Sequence, residues 1–331
     1  MGTPQNGFSS SELTIAVLGC GTMGISILSG ILASLDEMQG KPANSGTSTP
    51  LYETAVTTRL PSRFIACVRR PESVKKLKAT FAAHLGAVSI AQNANVPSVQ
   101  KSDIILLACK PYMVQEVLSE PGMAAALEGK LLISILAGVT ETQLESTLAA
   151  ANGGNPVPGC RVVRAMPNTA SLIRESMTVI GISNPPLDPE TLGIVTWIFK
   201  RIGEVVYLPP STMDVCTSLC GSGPAFFALM LEAAIDGAVA MGLPRAEAQR
   251  MAAQTMKGAA GLVLNGDHPA LLRDKVSTPG GCTIGGLLVL EEGRVRGTVA
   301  RAVREATVVA SQLGKGVQGV NGTRFPSNSF Q

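Results

Sequence analysis

Histidine and aromatic residues are scarce in this sequence of 331 residues, which contains only His84 and His268 and is 4% aromatic. Two histidines exclude a His-rich metal site, and a Ser-His-Asp triad would have to use one of them. Lys and Arg number 27 against 24 acidic residues, and no basic stripe is interleaved with aromatics, so nucleic acid is not an expected partner. The sequence therefore predicts no metal site, while hydride chemistry, which needs no histidine, stays open.

Paired cysteine motifs and targeting signals are also lacking. The seven cysteines include no C-x-x-C pair, which is typical of free thiols in a reducing compartment. Residues 1–12 have neither an apolar core nor a basic residue and match no signal or transit peptide. The longest uncharged apolar stretch, 217–231, is interrupted by Gly-Ser-Gly-Pro and is too short to span a bilayer. These absences predict a soluble cytoplasmic protein with no membrane partner.

The length suggests about two domains, because a typical domain has roughly 150 residues. Short apolar strands first alternate with helices, which is typical of a parallel, doubly wound sheet, and only helical patterns follow. Ala and Gly residues in this second part are spaced for close helix contact, also with a second subunit. We expect an α/β fold, a Rossmann-type doubly wound sheet over 13–211 with an insertion at about 37–62, followed by an all-α C-terminal domain over 212–315. Residues 1–12 and 316–331 are expected to be disordered tails.

Seven strands are predicted from short apolar runs rich in β-branched residues. They are 13–18, 64–68, 104–109, 131–136, 161–164, 177–180 and 204–208.

A glycine-rich turn follows the first predicted strand. Its residues are Gly19, Cys20, Gly21, Thr22, Met23 and Gly24. Because the turn leaves a strand, opens a helix and lies in a β-α-β unit, it has the context of a dinucleotide-binding fingerprint. The first glycine would make the tight turn, the second would let the backbone approach a pyrophosphate, and the helix N-terminus would supply N–H groups. The alternative is a glycine-rich turn that binds no ligand.

The cofactor type depends on the end of the second strand, where the fingerprint expects an acidic residue that holds a ribose 2′-hydroxyl. Once the insertion is discounted, Arg69 and Arg70 occupy this position. A guanidinium suits a 2′-phosphate, so the sequence favours NADP(H) over NAD(H). The alternative is that both arginines only solvate the start of the next helix.

Other polar segments follow strands or precede helices at places where ligands bind. Lys110-Pro111 and the segment 166–169 each follow a strand, at the sheet edge where open α/β sheets bind ligands. The glycine-rich segments 220–225 and 277–283 are predicted to be loops that each open a helix, whose N-terminus could hold a substrate carboxylate. A surface lysine and ordinary helix caps are the alternatives.

Five motifs, in this order, resemble those of the pyrroline-5-carboxylate reductases over roughly residues 13–315. They are Leu18-Gly-Cys-Gly-Thr-Met-Gly24, Ala108-Cys-Lys-Pro111, Ala165-Met-Pro-Asn-Thr169, Gly221-Ser-Gly-Pro224 and Leu272-Arg-Asp-Lys-Val-Ser-Thr-Pro-Gly-Gly-Cys-Thr-Ile284. Such enzymes reduce the ring imine 1-pyrroline-5-carboxylate to L-proline, the last step of proline synthesis. The resemblance implies an oxidoreductase that uses NADP(H), with NAD(H) as an alternative cofactor. It also implies that 212–315 is a dimerisation and substrate domain, and that the protein is a homodimer or a higher homo-oligomer.

The resemblance further implies which residues bind each ligand. Thr283 would be catalytic, with its hydroxyl hydrogen-bonded to the ring nitrogen. The cofactor would be bound by Gly19, Cys20, Gly21, Thr22, Met23, Gly24, Arg69, Arg70, Asn95, Ala108, Cys109, Lys110, Pro111, Ala137 and Gly138. The substrate would be bound by Ser277, Thr278, Gly280, Gly281, Cys282 and Thr283, in a loop that the partner subunit supplies.

The sequence departs from the family pattern in two places. The insertion at 37–62 has no counterpart in compact members, and Cys282 stands where Ala or Thr is also used. A β-hydroxyacid dehydrogenase, a rival enzyme class, would carry a lysine on the helix after 221–224, but this helix offers only Glu232 and Asp236. A reductase of a related cyclic imine and a non-catalytic NADP(H)-sensing module remain as alternative functions.

Overall fold

The computed structural model describes residues 12–38, 40 and 59–314. The chain forms two compact units, which are described separately. Unit 1 consists of Met1–Gly221 together with Thr307–Gln331, and unit 2 of Ser222–Ala306. Both predicted tails, except Glu12, and most of the predicted insertion at 37–62 lie outside the described residues. The predicted domain limits, 211 and 212, lie shortly before the division between the units, and they remain predictions.

Unit 1 is built on an eight-stranded sheet with the strand order β3-β2-β1-β4-β5-β6-β7-β8. The strands are β1 (Leu13–Leu18), β2 (Pro61–Val68), β3 (Val88–Gln92), β4 (Ile104–Leu107), β5 (Leu131–Ser134), β6 (Arg161–Met166), β7 (Ser176–Gly181) and β8 (Gly203–Leu208). All neighbouring strands are parallel except β6 and β7, which are antiparallel. The parallel-dominated, doubly wound sheet confirms the predicted fold class. Because the chain leaves β1 toward β2 and later returns to pair β4 on its other side, the ligand crevice of such a sheet lies at the carboxyl ends of β1 and β4.

Helices cover both faces of this sheet. The helices of unit 1 are α1 (Thr22–Met38), α2 (Pro71–Thr80), α3 (Asn95–Gln100), α4 (Val114–Leu118), α5 (Met123–Ala126), α6 (Glu141–Ala151), α7 (Pro189–Lys200) and α8 (Met213–Cys216). Alternate residues of β4 point to opposite faces: Ile104 and Leu106 pack in the core with α1 and α7, and Ile105 and Leu107 pack with α4 and α6. Burial on both faces explains why the central strands are continuous apolar runs.

Unit 2 is helical, and none of its described residues forms a strand. Its helices are α9 (Gly223–Ala240), α10 (Arg245–Leu264), α11 (Pro269–Val276), α12 (Cys282–Glu292) and α13 (Val295–Gly314), the last of which continues beyond the unit. Neither α11 nor α12 contains a buried residue, and Leu288 and Val289 are 58% and 65% exposed. Apolar helix faces exposed on this scale are typical of a protein–protein interface.

The segment 220–225 differs from the glycine-rich loop predicted for it. A π-helical turn over Thr217–Ser222 continues α8 directly into α9. The helical backbone accommodates both glycines, and Pro224 lies in the first turn of α9, where its missing N–H is not needed. The prediction of a loop here is therefore wrong.

Within the described residues one helical stretch, Pro210–Ala240, is long and apolar enough to cross a membrane by length and composition alone, which is weak evidence for a span.

Candidate active site

The glycine-rich turn lies between the end of β1 and the start of α1, as the fingerprint requires. The backbone N–H groups of Gly19 and Cys20 both donate to the Cys67 carbonyl at the end of β2, at 3.2 and 2.9 Å. Gly19 has a φ of +80°, and a Cβ atom there would lie 2.6 Å from the Cα of Cys109. At Gly24 a Cβ would lie 2.9 Å from Val17 Cγ1. The first and third glycines are thus required by the fold itself.

Gly21 has a different environment. A Cβ atom at this position would meet only the Gly19 carbonyl oxygen, at an ordinary contact distance of 3.9 Å, and the residue is exposed. The fold therefore does not demand glycine here, whereas a ligand that lies against the backbone does. The open space over Gly21 fits a dinucleotide pyrophosphate at the N-terminus of the 17-residue helix α1.

The remaining residues of the turn have distinct positions. Thr22 is exposed and Met23 half-buried in the first turn of α1, and the Thr22 carbonyl accepts a hydrogen bond from Ser26 Oγ at 2.8 Å. Cys20 is 2% exposed, and burial raises the pKa of its thiol to about 12. A buried, protonated thiol is poorly suited to act as a nucleophile, so any cofactor contact of Cys20 would come from its backbone.

Both arginines predicted to bind the 2′-phosphate are exposed at the end of β2. Arg69 Nη1 lies 3.4 Å from Glu116 Oε1, and the Arg69 carbonyl accepts a hydrogen bond from Gln92 Nε2 at 3.2 Å. Arg70 is the N-cap residue of α2, and Pro71 follows it in the first turn. The structure thus brings to this strand end an acidic side chain, Glu116, that sequence reasoning did not predict.

Asn95 is the first residue of α3, a helix that sequence reasoning did not predict. Its Nδ2 donates to Glu120 Oε2 at 3.2 Å, so a second carboxylate from the segment after β4 faces the predicted cofactor residues.

The ends of β4 and β5 carry the other predicted cofactor residues. The Ala108 N–H donates to the Leu18 carbonyl at 2.9 Å, which continues the pairing of β1 and β4 past the last residue of the strand. Lys110 is exposed and precedes a 3₁₀ turn that begins with Pro111. Burial raises the pKa of Cys109 to about 11. Ala137 is exposed and Gly138, with a φ of +74°, is buried.

An ionic cluster is centred on the buried side chain of Arg164 and includes the half-buried Glu141 and Asp214. Arg164 on β6 is 4% exposed, and its backbone N–H donates to Glu141 Oε1 at 3.2 Å. Its guanidinium Nη2 lies 3.9 Å from Asp214 Oδ1. Burial raises the pKa of Glu141 and lowers that of Arg164, while the opposite charges act against both shifts. The sequence signal was an arginine between apolar neighbours in a predicted strand, and the cluster ties the start of α6 to β6 and α8.

The segment 166–169 has a structural explanation of its own. Asn168 is the N-cap residue of a 3₁₀ turn over Thr169–Ile173, and its side chain accepts a hydrogen bond from the Ala170 N–H at 2.9 Å.

Both histidines also have ordinary contacts: His84 Nε2 lies 2.8 Å from Asp36 Oδ2, and His268 Nδ1 accepts from the Ala270 N–H at 3.3 Å. No group of metal ligands occurs among the described residues.

The predicted substrate loop lies wholly in unit 2. The Gly281 N–H donates to the Thr278 carbonyl at 3.0 Å, and Gly280, at the third position of this turn, has a φ of +70°. Pro279 and Gly280 in the two central positions are typical of a type II turn, so the residue types determine the shape of the loop. The Ser277 hydroxyl donates back to the Arg273 carbonyl at 2.9 Å.

The start of α12 follows this turn immediately. Gly281 is its N-cap residue and supplies no side-chain cap, and a Cβ there would lie 2.5 Å from Thr278 Oγ1. Cys282 is exposed, and Thr283, the second residue of the helix, is half-buried. The Thr283 hydroxyl has no hydrogen-bond partner among the described residues. The first N–H groups of α12 therefore lack a side-chain cap, and the Thr278 hydroxyl lies beside the N-cap residue Gly281.

Similarity to known proteins covers nearly the whole chain. Residues 210–313 match the family model "Pyrroline-5-carboxylate reductase dimerisation", and residues 14–138 match "NADP oxidoreductase coenzyme F420-dependent". A pyrroline-5-carboxylate reductase from Lophium arboricola is 67% identical over 95% of this chain and 98% of its own length. One from Neurospora crassa is 60% identical over 96% of this chain and 98% of its own length. The chain belongs to the pyrroline-5-carboxylate reductase family.

Solved structures of the family share this fold. A Plasmodium falciparum pyrroline carboxylate reductase with NADP bound has a TM-score of 0.72 and 25% identity, and the match covers 92% of this chain and all of that one. A Coxiella burnetii pyrroline-5-carboxylate reductase has a TM-score of 0.71 and 26% identity, over 92% of this chain and 99% of that one. The family relationship confirms the resemblance to pyrroline-5-carboxylate reductases that the five motifs indicated.

Proposed function

We propose that this chain reduces 1-pyrroline-5-carboxylate to L-proline with NADPH, and with NADH as an alternative, as the final step of proline biosynthesis. The observation that carries the proposal is 67% identity to a curated pyrroline-5-carboxylate reductase over 95% of the chain. The open glycine turn at Gly21 and the polar turn before α12 support it, because they offer surfaces for a dinucleotide and for a small carboxylate.

The cofactor would lie across the carboxyl ends of the strands in unit 1. Its pyrophosphate would accept hydrogen bonds from the backbone between Gly19 and Gly24, and its 2′-phosphate would pair with the arginines after β2. Ala108 to Pro111 and the 137–138 turn would line the rest of the crevice. When bound, the nicotinamide supplies the hydride that reduces the C=N bond.

The substrate carboxylate would be held at the start of α12. Backbone N–H groups at Gly280 and Cys282 and the Thr278 hydroxyl suit an anion without any arginine, while the Gly281 N–H is engaged within the turn. The Thr283 hydroxyl would donate a hydrogen bond to the ring nitrogen. A cyclic imine protonated on nitrogen is already an electrophile, so this chain mainly has to align it and stabilise its nitrogen.

The active unit would be a homodimer or a higher homo-oligomer, with the loop 277–283 supplied by the partner subunit. The exposed apolar residues of unit 2 and the match of 210–313 to a dimerisation family support this assembly. The scattered free thiols support a cytoplasmic location.

The function is tested by following NADPH oxidation with 1-pyrroline-5-carboxylate, together with detection of L-proline as product. Turnover with this substrate and little or none with the six-membered imine is expected. Equal turnover of both rings would favour a broader imine reductase, and NADPH binding without turnover would favour a sensing module. A reaction without the protein serves as the control for non-enzymatic reduction.

A further inference from the structure

The ion pair between Arg69 and Glu116 joins two elements that are not neighbours in the sheet. Arg69 follows β2 and Glu116 lies on α4, after β4, while β1 lies between these two strands. Their side chains meet at 3.4 Å between Nη1 and Oε1. The pair therefore crosses the carboxyl end of β1, where the glycine turn begins.

This position is where dinucleotide-binding sheets distinguish their cofactors. An acidic side chain at the end of the second strand holds a ribose 2′-hydroxyl, whereas an arginine nearby accommodates a 2′-phosphate. In this chain the strand end carries only arginines, and Glu116 brings a carboxylate to the same place from another element. Both types of recognition group are thus present within one ion pair.

The ion pair between Arg69 and Glu116 can be broken at little energetic cost. The side chains of Arg69 and Glu116 are 58% and 68% exposed, and exposed ion pairs of this kind contribute little to stability. The Arg69 carbonyl is held by Gln92 Nε2 at 3.2 Å, so the backbone stays in place while the guanidinium is free to change partner. A dianionic phosphate competes well for this guanidinium, whereas a neutral hydroxyl does not.

We propose that Arg69 and Glu116 form a two-way selector for the ribose 2′ position, an inference that rests on the proposed function. With NADPH, Arg69 leaves Glu116 and pairs with the 2′-phosphate. With NADH, Arg69 and Glu116 remain together, and the Glu116 carboxylate accepts a hydrogen bond from the 2′-hydroxyl. Glu116 therefore weakens NADPH binding by competition and charge repulsion, and it strengthens NADH binding.

Two variants of the full-length chain separate these roles. Dissociation constants for NADPH and NADH are measured by nucleotide fluorescence without any imine, and the adenosine end alone is probed by calorimetry with adenosine 2′,5′-bisphosphate. Glu116→Gln should tighten NADPH and the bisphosphate by about threefold and weaken NADH by about threefold. Arg69→Gln should weaken NADPH and the bisphosphate by about tenfold or more and change NADH less than about twofold. Glu204→Gln, which removes an exposed carboxylate of β8 that pairs with Lys200 of α7, is the matched control and should change none of them.

The test of the selector is whether Glu116→Gln shifts the dissociation constants of NADPH and NADH in opposite directions. If Glu116→Gln leaves both dissociation constants unchanged, or moves NADPH and NADH in the same direction, the selector is overturned. Because these constants are measured without substrate, a chain that binds nucleotides as expected but does not reduce the imine would contradict the proposed function and leave the selector standing. If the native chain makes L-proline but Glu116→Gln leaves both dissociation constants unchanged, the proposed function stands and the selector is overturned.

Discussion

Gly19 and Cys109 meet backbone to backbone at the switch point of the sheet, where a Cβ on Gly19 would stand 2.6 Å from the Cα of Cys109 and 2.8 Å from its amide nitrogen. The two residues follow the neighbouring strands β1 and β4, and each belongs to a segment predicted to bind the cofactor. Their contact holds the turn after β1 and the turn after β4 in one fixed relation, so the fold itself positions these two segments of the proposed cofactor site.

Alanine substitutions should separate the structural glycine from the ligand-binding one. Gly19→Ala should destabilise unit 1 by about 3 kcal/mol or more, because it strains a positive φ and overlaps backbone. Gly21→Ala should change stability by less than about 1 kcal/mol, because its Cβ meets nothing closer than 3.9 Å. It should nevertheless weaken NADPH binding about tenfold, as its methyl group enters the space for the pyrophosphate. Thermal unfolding and nucleotide titration check the pair, and a Gly21→Ala chain that binds NADPH normally would show that the cofactor lies elsewhere.

Thr283 can be tested by removing its hydroxyl and then restoring it. Thr283→Ala, assayed at saturating NADPH, should lower kcat/KM by about 10- to 100-fold, because the ring nitrogen loses its hydrogen-bond donor. Thr283→Ser keeps the hydroxyl and should recover much of the rate. Nucleotide dissociation constants should be the same in both variants. An unchanged kcat/KM in Thr283→Ala would remove this residue from the mechanism.

Thiol alkylation should act on one position. Of the seven cysteines, all within the described part of the chain, only Cys282 is exposed. Burial raises the pKa values of Cys20, Cys67, Cys109 and Cys160 to about 11 or 12, which leaves those thiols protonated near neutral pH. N-ethylmaleimide should therefore label Cys282, as mass spectrometry would show, and inhibit turnover by placing bulk at the start of α12. Cys282→Ser should retain its own activity under the same treatment, and saturating L-proline should slow the labelling of the native chain.

The pair between Glu37 and Arg174 should contribute to the stability of unit 1. Arg174 is 8% exposed, and its Nη1 lies 2.7 Å from Glu37 Oε1, whose side chain is 20% exposed. Glu37→Gln leaves a buried guanidinium without its counter-charge and should cost about 2 kcal/mol, or about 4–8 °C in Tm. Glu204→Gln breaks an exposed pair with Lys200 and should lower Tm by about 1 °C or less. Equal shifts for the two variants would contradict the role given to burial.

Much of unit 1 was predictable because its central strands are buried on both faces and read as apolar runs. The strand β3 was missed because Val88–Gln92 is short, lies at the sheet edge and has Val88 as its one buried residue. The antiparallel pairing of β6 and β7 was also missed, because strand direction leaves no mark on the periodicity of a short buried segment. The π-helical turn over Thr217–Ser222 was predicted as a loop because its glycines suggested a break in the helix.

The candidate site was predictable only where a local motif carries it. The glycine turn and the Pro279-Gly280 turn are short-range signals whose residue types dictate the backbone. The contact of Arg69 with Glu116 joins residues 47 positions apart, and that of Arg174 with Glu37 joins residues 137 positions apart. Such pairs depend on strand order and helix placement, which no single segment of the sequence contains.

The exposed helical stretch Pro210–Ala240 implies that the stability of this protein depends on its concentration. Only 17% of its most apolar window is buried within one chain, and α11 and α12 bury no residue at all. A helical unit that hides its apolar surface against a second copy gains stability with protein concentration, as an obligate dimer does. Dilution, and not only heat or denaturant, should therefore unfold or inactivate this protein.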